Sequence, residues 1–221
     1  MRNLPAVFLF LCLGKVMAAD VGALDGLTLV QMYNDETTKA SMLESGRNAF
    51  VQHCSVCHVD DATGKPGVPD FTTGIFMWGG SLSDMEVTIR YGIRSGHEHQ
   101  RYSEMPAYTD QDFLSTERIN DLVEYVLSIA YQEADGDAAQ RAAGDFEDIC
   151  SECHTYAGTG RQEYYGAPDL TDFVWQYGNR REDIYKSIAE GRHGISPAFD
   201  GILDNQSIKA LAIYVYDISH Y

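Results

Sequence analysis

The chain has 221 residues, 44% of them hydrophobic, and sets 16 Lys+Arg against 33 Asp+Glu, for a formal net charge of −17. Such a length holds one large domain or two small ones around an ordinary core. The acidity argues against an electrostatic grip on nucleic acid or an anionic membrane surface, and favours a partner with a basic docking face.

The first segment reads as a leader. Arg2 opens it, an apolar run extends from Leu4 to Leu13, and small residues follow at Ala18 and Ala19, the layout of a secretory signal. The run is half of the roughly 20 residues that span a bilayer, and Lys15 ends it. Cleavage is expected after Ala18 or Ala19, with retention as a short anchor the alternative. Loss of Arg2 and Lys15 with residues 1–19 takes the net charge from −17 to −19. The mature chain is then periplasmic or extracellular.

Cys12 lies in that leader. The other four of the five cysteines form two pairs, Cys54-Ser55-Val56-Cys57-His58 and Cys150-Ser151-Glu152-Cys153-His154. Two thiols at this spacing can form thioether links to the two vinyl groups of a haem, while the next residue, His, reaches the iron. Local disulfides and a zinc site are the alternatives. A zinc site brings its second cysteine pair back within roughly 15–20 residues, whereas Cys57 and Cys150 are 93 positions apart. The reading is two covalently bound c-type haems, attached outside the cytoplasm in agreement with the leader.

The flanks of the two motifs repeat. Gly46-Arg47-Asn48-Ala49-Phe50 corresponds to Gly144-Asp145-Phe146, with two residues fewer, and Pro69-Asp70-Phe71-Thr72 to Pro168-Asp169-Leu170-Thr171. Trp78 pairs with Trp175, Ile89-Arg90-Tyr91-Gly92 with Ile188-Ala189-Glu190-Gly191, Met105-Pro106-Ala107-Tyr108 with Ser196-Pro197-Ala198-Phe199, and Tyr125-Val126 with Tyr214-Val215. The expected organisation is an N-terminal extension over 20–43, a haem domain over 44–131, an acidic linker over 132–140 and a second haem domain over 141–221.

Each unit reads as helical. Ile119, Leu122, Val123, Val126 and Leu127 recur at offsets of three and four from Thr116 onward, as do Ile208, Leu211, Ala212 and Val215 behind an N-cap at Asp204 or Asn205. Helices are also expected over Asp84–Tyr91 and Arg181–Glu190 and into each haem motif. No sustained alternation calls for a sheet. The fold class is all-α: two tandem helical domains, each wrapped around one haem.

His58 and His154 are the expected proximal ligands. A neutral imidazole donates its second N–H elsewhere, often to a backbone carbonyl; Pro69 and Pro168 either supply that carbonyl or merely stiffen a loop. Met105 is the expected sixth ligand of the first haem, since a thioether there suits electron transfer; His97 and His99 are nearby competitors. In the second domain Ser196 stands where the repeat calls for Met, and no Met follows Met105. His193 is the expected substitute, ahead of His220, Lys186 and Lys209, and an open iron is the other possibility.

Several of these segments resemble the diheme subunit of cbb3-type cytochrome c oxidases: Phe76-Met77-Trp78-Gly79-Gly80, the run from Ile89 to Glu98, Glu104-Met105-Pro106-Ala107, the run from Gly166 to Thr171, and the run from Ile208 to Val215. The likeness covers roughly residues 45–221. It implies two class I cytochrome c domains that take electrons from soluble donors and pass them to an oxidase core, with Cys54, Cys57, His58 and Met105 at one haem and Cys150, Cys153 and His154 at the other. It also implies a membrane anchor before the first domain, where this chain has the short leader, and Met at the position of Ser196. The expected function is an exported electron carrier or respiratory-complex subunit working with redox-partner proteins. Catalysis or small-ligand sensing at an open second haem, and a multi-haem array of several copies, are the alternatives.

Overall fold

The computed structural model describes residues 26–109, 113–161 and 165–220, so the expected leader over 1–19 and Cys12 lie outside the described residues. Among those residues the chain is helical, and its only extended pairings are isolated bridges. No described helix is long and apolar enough to cross a membrane.

Helix α1 (Leu29–Asn34) lies inside the expected N-terminal extension. Thr28 caps it by accepting from Gln31 N at 3.2 Å, and the Gln31 side chain accepts from Thr28 N at 2.9 Å, a reciprocal cap that satisfies two amides left free at a helix start. Asp35 then caps α2 (Glu36–His53), which leads into the first haem motif, where Ser55–His58 forms the single turn α3. Helix α4 (Leu82–Tyr91) starts at a Ser81/Asp84 capping box, and α5 (Thr116–Ile129) at Ser115.

The second half repeats this order. The stretch expected as a linker is folded from its middle onward: Asp135 caps α6 (Gly136–Asp145), and Ala138 and Ala139 are buried. A wider π-type turn over Phe146–Cys150 joins α6 to the turn α7 (Ser151–His154). Helices α8 (Arg181–Glu190) and α9 (Asn205–Ile218) follow, with Asp204 as the N-cap of α9. The apolar faces read from periodicity are buried: Ile119, Leu122, Val123, Val126 and Leu127 on α5, and Ile208, Leu211, Ala212 and Val215 on α9.

The cores do not follow the sequence order. One joins Leu29, Met32, Met42, Phe50, Leu82 and Met85 to Ala210, Leu211, Ala212, Ile213 and Val215, so the C-terminal helix α9 closes the first unit. The other joins Ile119, Leu122, Val123, Val126 and Leu127 of α5 to Ala142, Phe146, Ile184, Ile188 and Ala189 of the second. Each haem motif is therefore covered by the other half's last helix, against the expectation of two sequence-contiguous domains over 44–131 and 141–221. Two crossing segments make the exchange. After α4 the chain passes to the second unit through residues 93–104, and after α8 it returns to the first through residues 192–195.

Ion pairs tie each exchanged helix to its new partner. Lys39 Nζ lies 2.8 Å from Asp217 Oδ1, which also accepts from Tyr33 Oη at 2.9 Å, linking α1 and α2 to α9. On the other side Arg118 Nε donates to Asp145 at 2.8 Å, and Arg141 Nε to Asp121 at 2.8 Å, linking α5 to α6.

Candidate functional site: two haem-attachment centres

Each Cys-x-x-Cys-His motif begins as the preceding helix ends. Cys54 N donates to Phe50 O at 2.8 Å, and His58 N donates back to Cys54 O at 2.9 Å, so both thiols and the imidazole issue from one tight turn. Val59 (φ 55°) and Thr155 (φ 64°) then reverse the chain. Positive φ is a genuine outlier for such β-branched residues, held here because Gly64 N closes on His58 O at 3.1 Å and Gly160 N on His154 O at 2.9 Å.

That loop returns a carbonyl to the imidazole. His58 Nδ1 lies 3.4 Å from Pro69 O, and His154 Nδ1 lies 3.2 Å from Pro168 O. Of the two roles considered for the prolines, supplying the carbonyl is the one with matching geometry. A neutral imidazole that donates from Nδ1 presents the Nε2 lone pair to a metal. Desolvation pushes the pKa of both histidines down, favouring that neutral form. The His58 ring also stacks on Phe71, with centroids 4.3 Å apart.

No disulfide joins Cys54 to Cys57 or Cys150 to Cys153. Burial pushes the Cys54 thiol up to about 11 and Cys150 up to about 12. Among the described residues, no three His, Cys, Asp or Glu side chains converge as a metal cluster.

The exchange of helices also moves Met105. It packs on the second unit's core, as Cys150, Leu170 and Trp175 also do. Its backbone pairs with Arg192, each N–H donating to the other's carbonyl at 2.9 Å, and Tyr108 N donates to Ile188 O at 3.1 Å. Met105 is expected at the first haem from sequence order; the crossing of residues 93–104 instead sets it on the second unit. Ser196 moves the opposite way. It exchanges two 2.9 Å hydrogen bonds with Ile93, and Phe199 N donates to Ile89 O at 3.2 Å.

His193, expected at the second haem, is exposed, and its Nδ1 faces Glu104 Oε1 at 3.3 Å. The weaker candidates are also engaged elsewhere. The His97 ring lies tilted against Tyr91, centroids 4.9 Å apart, with Nε2 3.7 Å from Asp200, and His99 Nε2 lies 3.7 Å from Glu98. His220 Nδ1 lies 2.8 Å from Tyr216 O, Lys186 Nζ lies 3.9 Å from Glu190, and Lys209 Nζ donates to Leu27 O at 3.5 Å.

Other residues join the two units and escaped the sequence reading. The Trp78 ring covers Gly166, where a Cβ would stand 2.7 Å from it, and Tyr177 covers Gly67, where a Cβ would stand 3.3 Å away. Gln176 and Gly67 exchange two hydrogen bonds, both 3.1 Å. Arg101 lies over the Trp78 ring at 5.3 Å and Arg192 over Tyr177 at 4.5 Å. Trp78 thus corresponds to Tyr177, whereas Trp175 matches Phe76, each packed on its own core. The Pro69/Pro168 pair already carried the signal: its offset is 99, not the 96 of the haem motifs. Three extra residues between Gly160 and Gly166 shift the register from there through Gly191.

The polar atoms here fit a c-type haem. Trp78 Nε1 and Arg192 Nε are buried donors without a hydrogen-bond acceptor in the protein, and an orphaned buried donor is costly. Haem propionates are acceptors of the required kind.

Two family models match the chain, one on each half. The family model described as "Cytochrome c" matches residues 43–130, and the one described as "Cytochrome C oxidase, cbb3-type, subunit III" matches residues 137–215. The chain is 33% identical over 207 residues to the Cbb3-type cytochrome c oxidase subunit FixP of Bradyrhizobium sp. strain ORS 278, covering 93% of this chain and 71% of that protein. It is 34% identical over 175 residues to the Cbb3-type cytochrome c oxidase subunit CcoP of Cereibacter sphaeroides, covering 79% of this chain and 60% of that one.

Proposed function

Because the chain belongs to the family of cbb3-type cytochrome c oxidase subunits FixP and CcoP and carries cytochrome c domains, we propose that it is an exported diheme electron-transfer subunit. The carrying observation is the duplicated centre, with His58 and His154 each oriented by a proline carbonyl at 3.4 Å and 3.2 Å. Cys54, Cys57 and His58 would hold one haem, and Cys150, Cys153 and His154 the other, with Met105 completing the second centre.

The bound haems supply reversible one-electron iron chemistry. The protein's part is to fix and tune them. The Pro69 and Pro168 carbonyls orient the imidazoles, the two cores exclude water, and Trp78 and Arg192 offer donors to the propionates. Met105 would give the second haem a thioether donor, which raises a haem's potential and would make that centre the better electron acceptor of the two. Its partners are oxidase subunits and a donor with a basic face that meets the net charge of −17, an attraction that salt screens.

Mass spectrometry and haem quantification of the purified chain test the reading. Two covalent haems are expected, falling to one in Cys54→Ala/Cys57→Ala and in Cys150→Ala/Cys153→Ala. A parent chain with fewer than two would overturn it.

A further inference from the structure

We propose that the first haem centre of this chain is open on its distal side, where it takes a small diatomic ligand. This rests on the diheme reading above and goes beyond it by giving the two centres different chemistry.

Two equivalent positions within the chain carry different residues. Met105 faces the second centre from a segment pinned to the end of α8, by the paired bonds to Arg192 and by Tyr108 N donating to Ile188 O. The first centre has the same construction at the end of α4. Ser196 pairs with Ile93 through two 2.9 Å bonds, and Phe199 N donates to Ile89 O. Even the supporting glycines match. Gly191 has φ 72° and lies under the Met105 carbonyl, with Ala107 N 2.8 Å from where a Cβ would be. Gly92 has φ 71° and lies under the Ser196 carbonyl, with Ala198 N at 2.8 Å.

Ser196 therefore occupies in the first centre the place Met105 occupies in the second. Its hydroxyl is bonded directly to Cβ, one atom short of the reach of a methionine sulfur, and a neutral hydroxyl is a hard, weak donor to haem iron. The unit's other sulfurs are differently used. Met32, Met42 and Met85 are 1%, 1% and 5% exposed within the helix core, and Met77 belongs to the loop before α4. His97, the half-buried imidazole of the crossing segment, is held against Tyr91 and Asp200. The second centre, closed by Met105, is left for electron transfer alone.

Carbon monoxide added to the reduced, haem-loaded full chain tests this. One haem of the two should bind it rapidly in the parent, none in Ser196→Met, and both in Met105→Ala. Two further measurements say which haem is open. Carbon monoxide should bind the haem that remains in Cys150→Ala/Cys153→Ala but not the one in Cys54→Ala/Cys57→Ala. In the intact reduced protein, proton NMR should show contacts from the iron-bound Met105 methyl to Ile188 rather than Ile89, a readout independent of whether the cysteine variants fold. Two haems with no rapid carbon monoxide binding would overturn this inference and leave the diheme reading standing, as would Met105 contacts to Ile89. Fewer than two haems would instead remove the diheme reading itself.

Discussion

Gly46 lies where α2 crosses α9. A Cβ there would stand 2.7 Å from Tyr214 Cβ and run into the Ala210 carbonyl, so only a hydrogen fits between the two backbones. Gly144, the residue that motif alignment pairs with it, has nothing within 4 Å of a built Cβ. Equal spacing from Phe50 and Phe146, both buried, instead makes Ala142 the counterpart of Gly46. Gly46→Ala should cost about 1–3 kcal/mol through overpacking. Gly144→Ala should be neutral or add up to about 1 kcal/mol, because alanine is the better helix former. Denaturant titration of both variants checks the pair, and a Gly46→Ala protein as stable as the parent would contradict the close crossing.

At the scale of the element, α9 depends on its first residue. Asp204 accepts from Ser207 N at 2.8 Å and from Ser207 Oγ at 3.0 Å, and the amide bond holds its carboxyl below the ordinary 3.8. A group with a depressed folded pKa binds its proton more readily when unfolded. Its contribution is complete above the unfolded value and fades as pH falls through the folded one. Asp204→Ala should therefore cost about 1 kcal/mol near neutrality, with the gap to the parent closing below about pH 4 in acid-unfolding curves. A gap constant down to strongly acidic pH would exclude the cap as its source. This helix was legible from sequence, cap included, because burial of one stripe at period 3.6 leaves a direct trace in residue order. Helix α1 was not legible, since only Leu29 and Met32 of its six residues are buried; the Thr28–Gln31 box was the signal available. The loops were half legible. Pro69 and Pro168 marked the carbonyls that meet the imidazoles, but insertion of three residues before Gly166 hid the match of Trp78 to Tyr177.

At the scale of the molecule, the duplication could be read but the exchange of helices could not, because α5 and α9 carry the same stripe and either would close either core. What selects between them are pairings across sequence. The Tyr125/Tyr214 register aligns Asp121 with Ala210 and Ser128 with Asp217. Placed against α2, α5 would set the Asp121 carboxylate into the close crossing at Gly46 and leave Lys39 opposite Ser128. In the observed arrangement Ala210 meets Gly46, Lys39 meets Asp217, and Asp121 meets Arg141. Neither core can then be dismantled alone, since removing α9 from the first unit pulls on the crossing segments that hold Met105 and Ser196 in place. The chain should unfold in one cooperative transition, despite containing two repeated units. Leu211→Ala, which removes a side chain buried to 0% in the first core, should cost about 2–5 kcal/mol and shift the melting of both haems equally. Absorbance at each haem followed against helix loss by circular dichroism would show it, and two resolved transitions with only the first one shifted would mean that the cores stand independently.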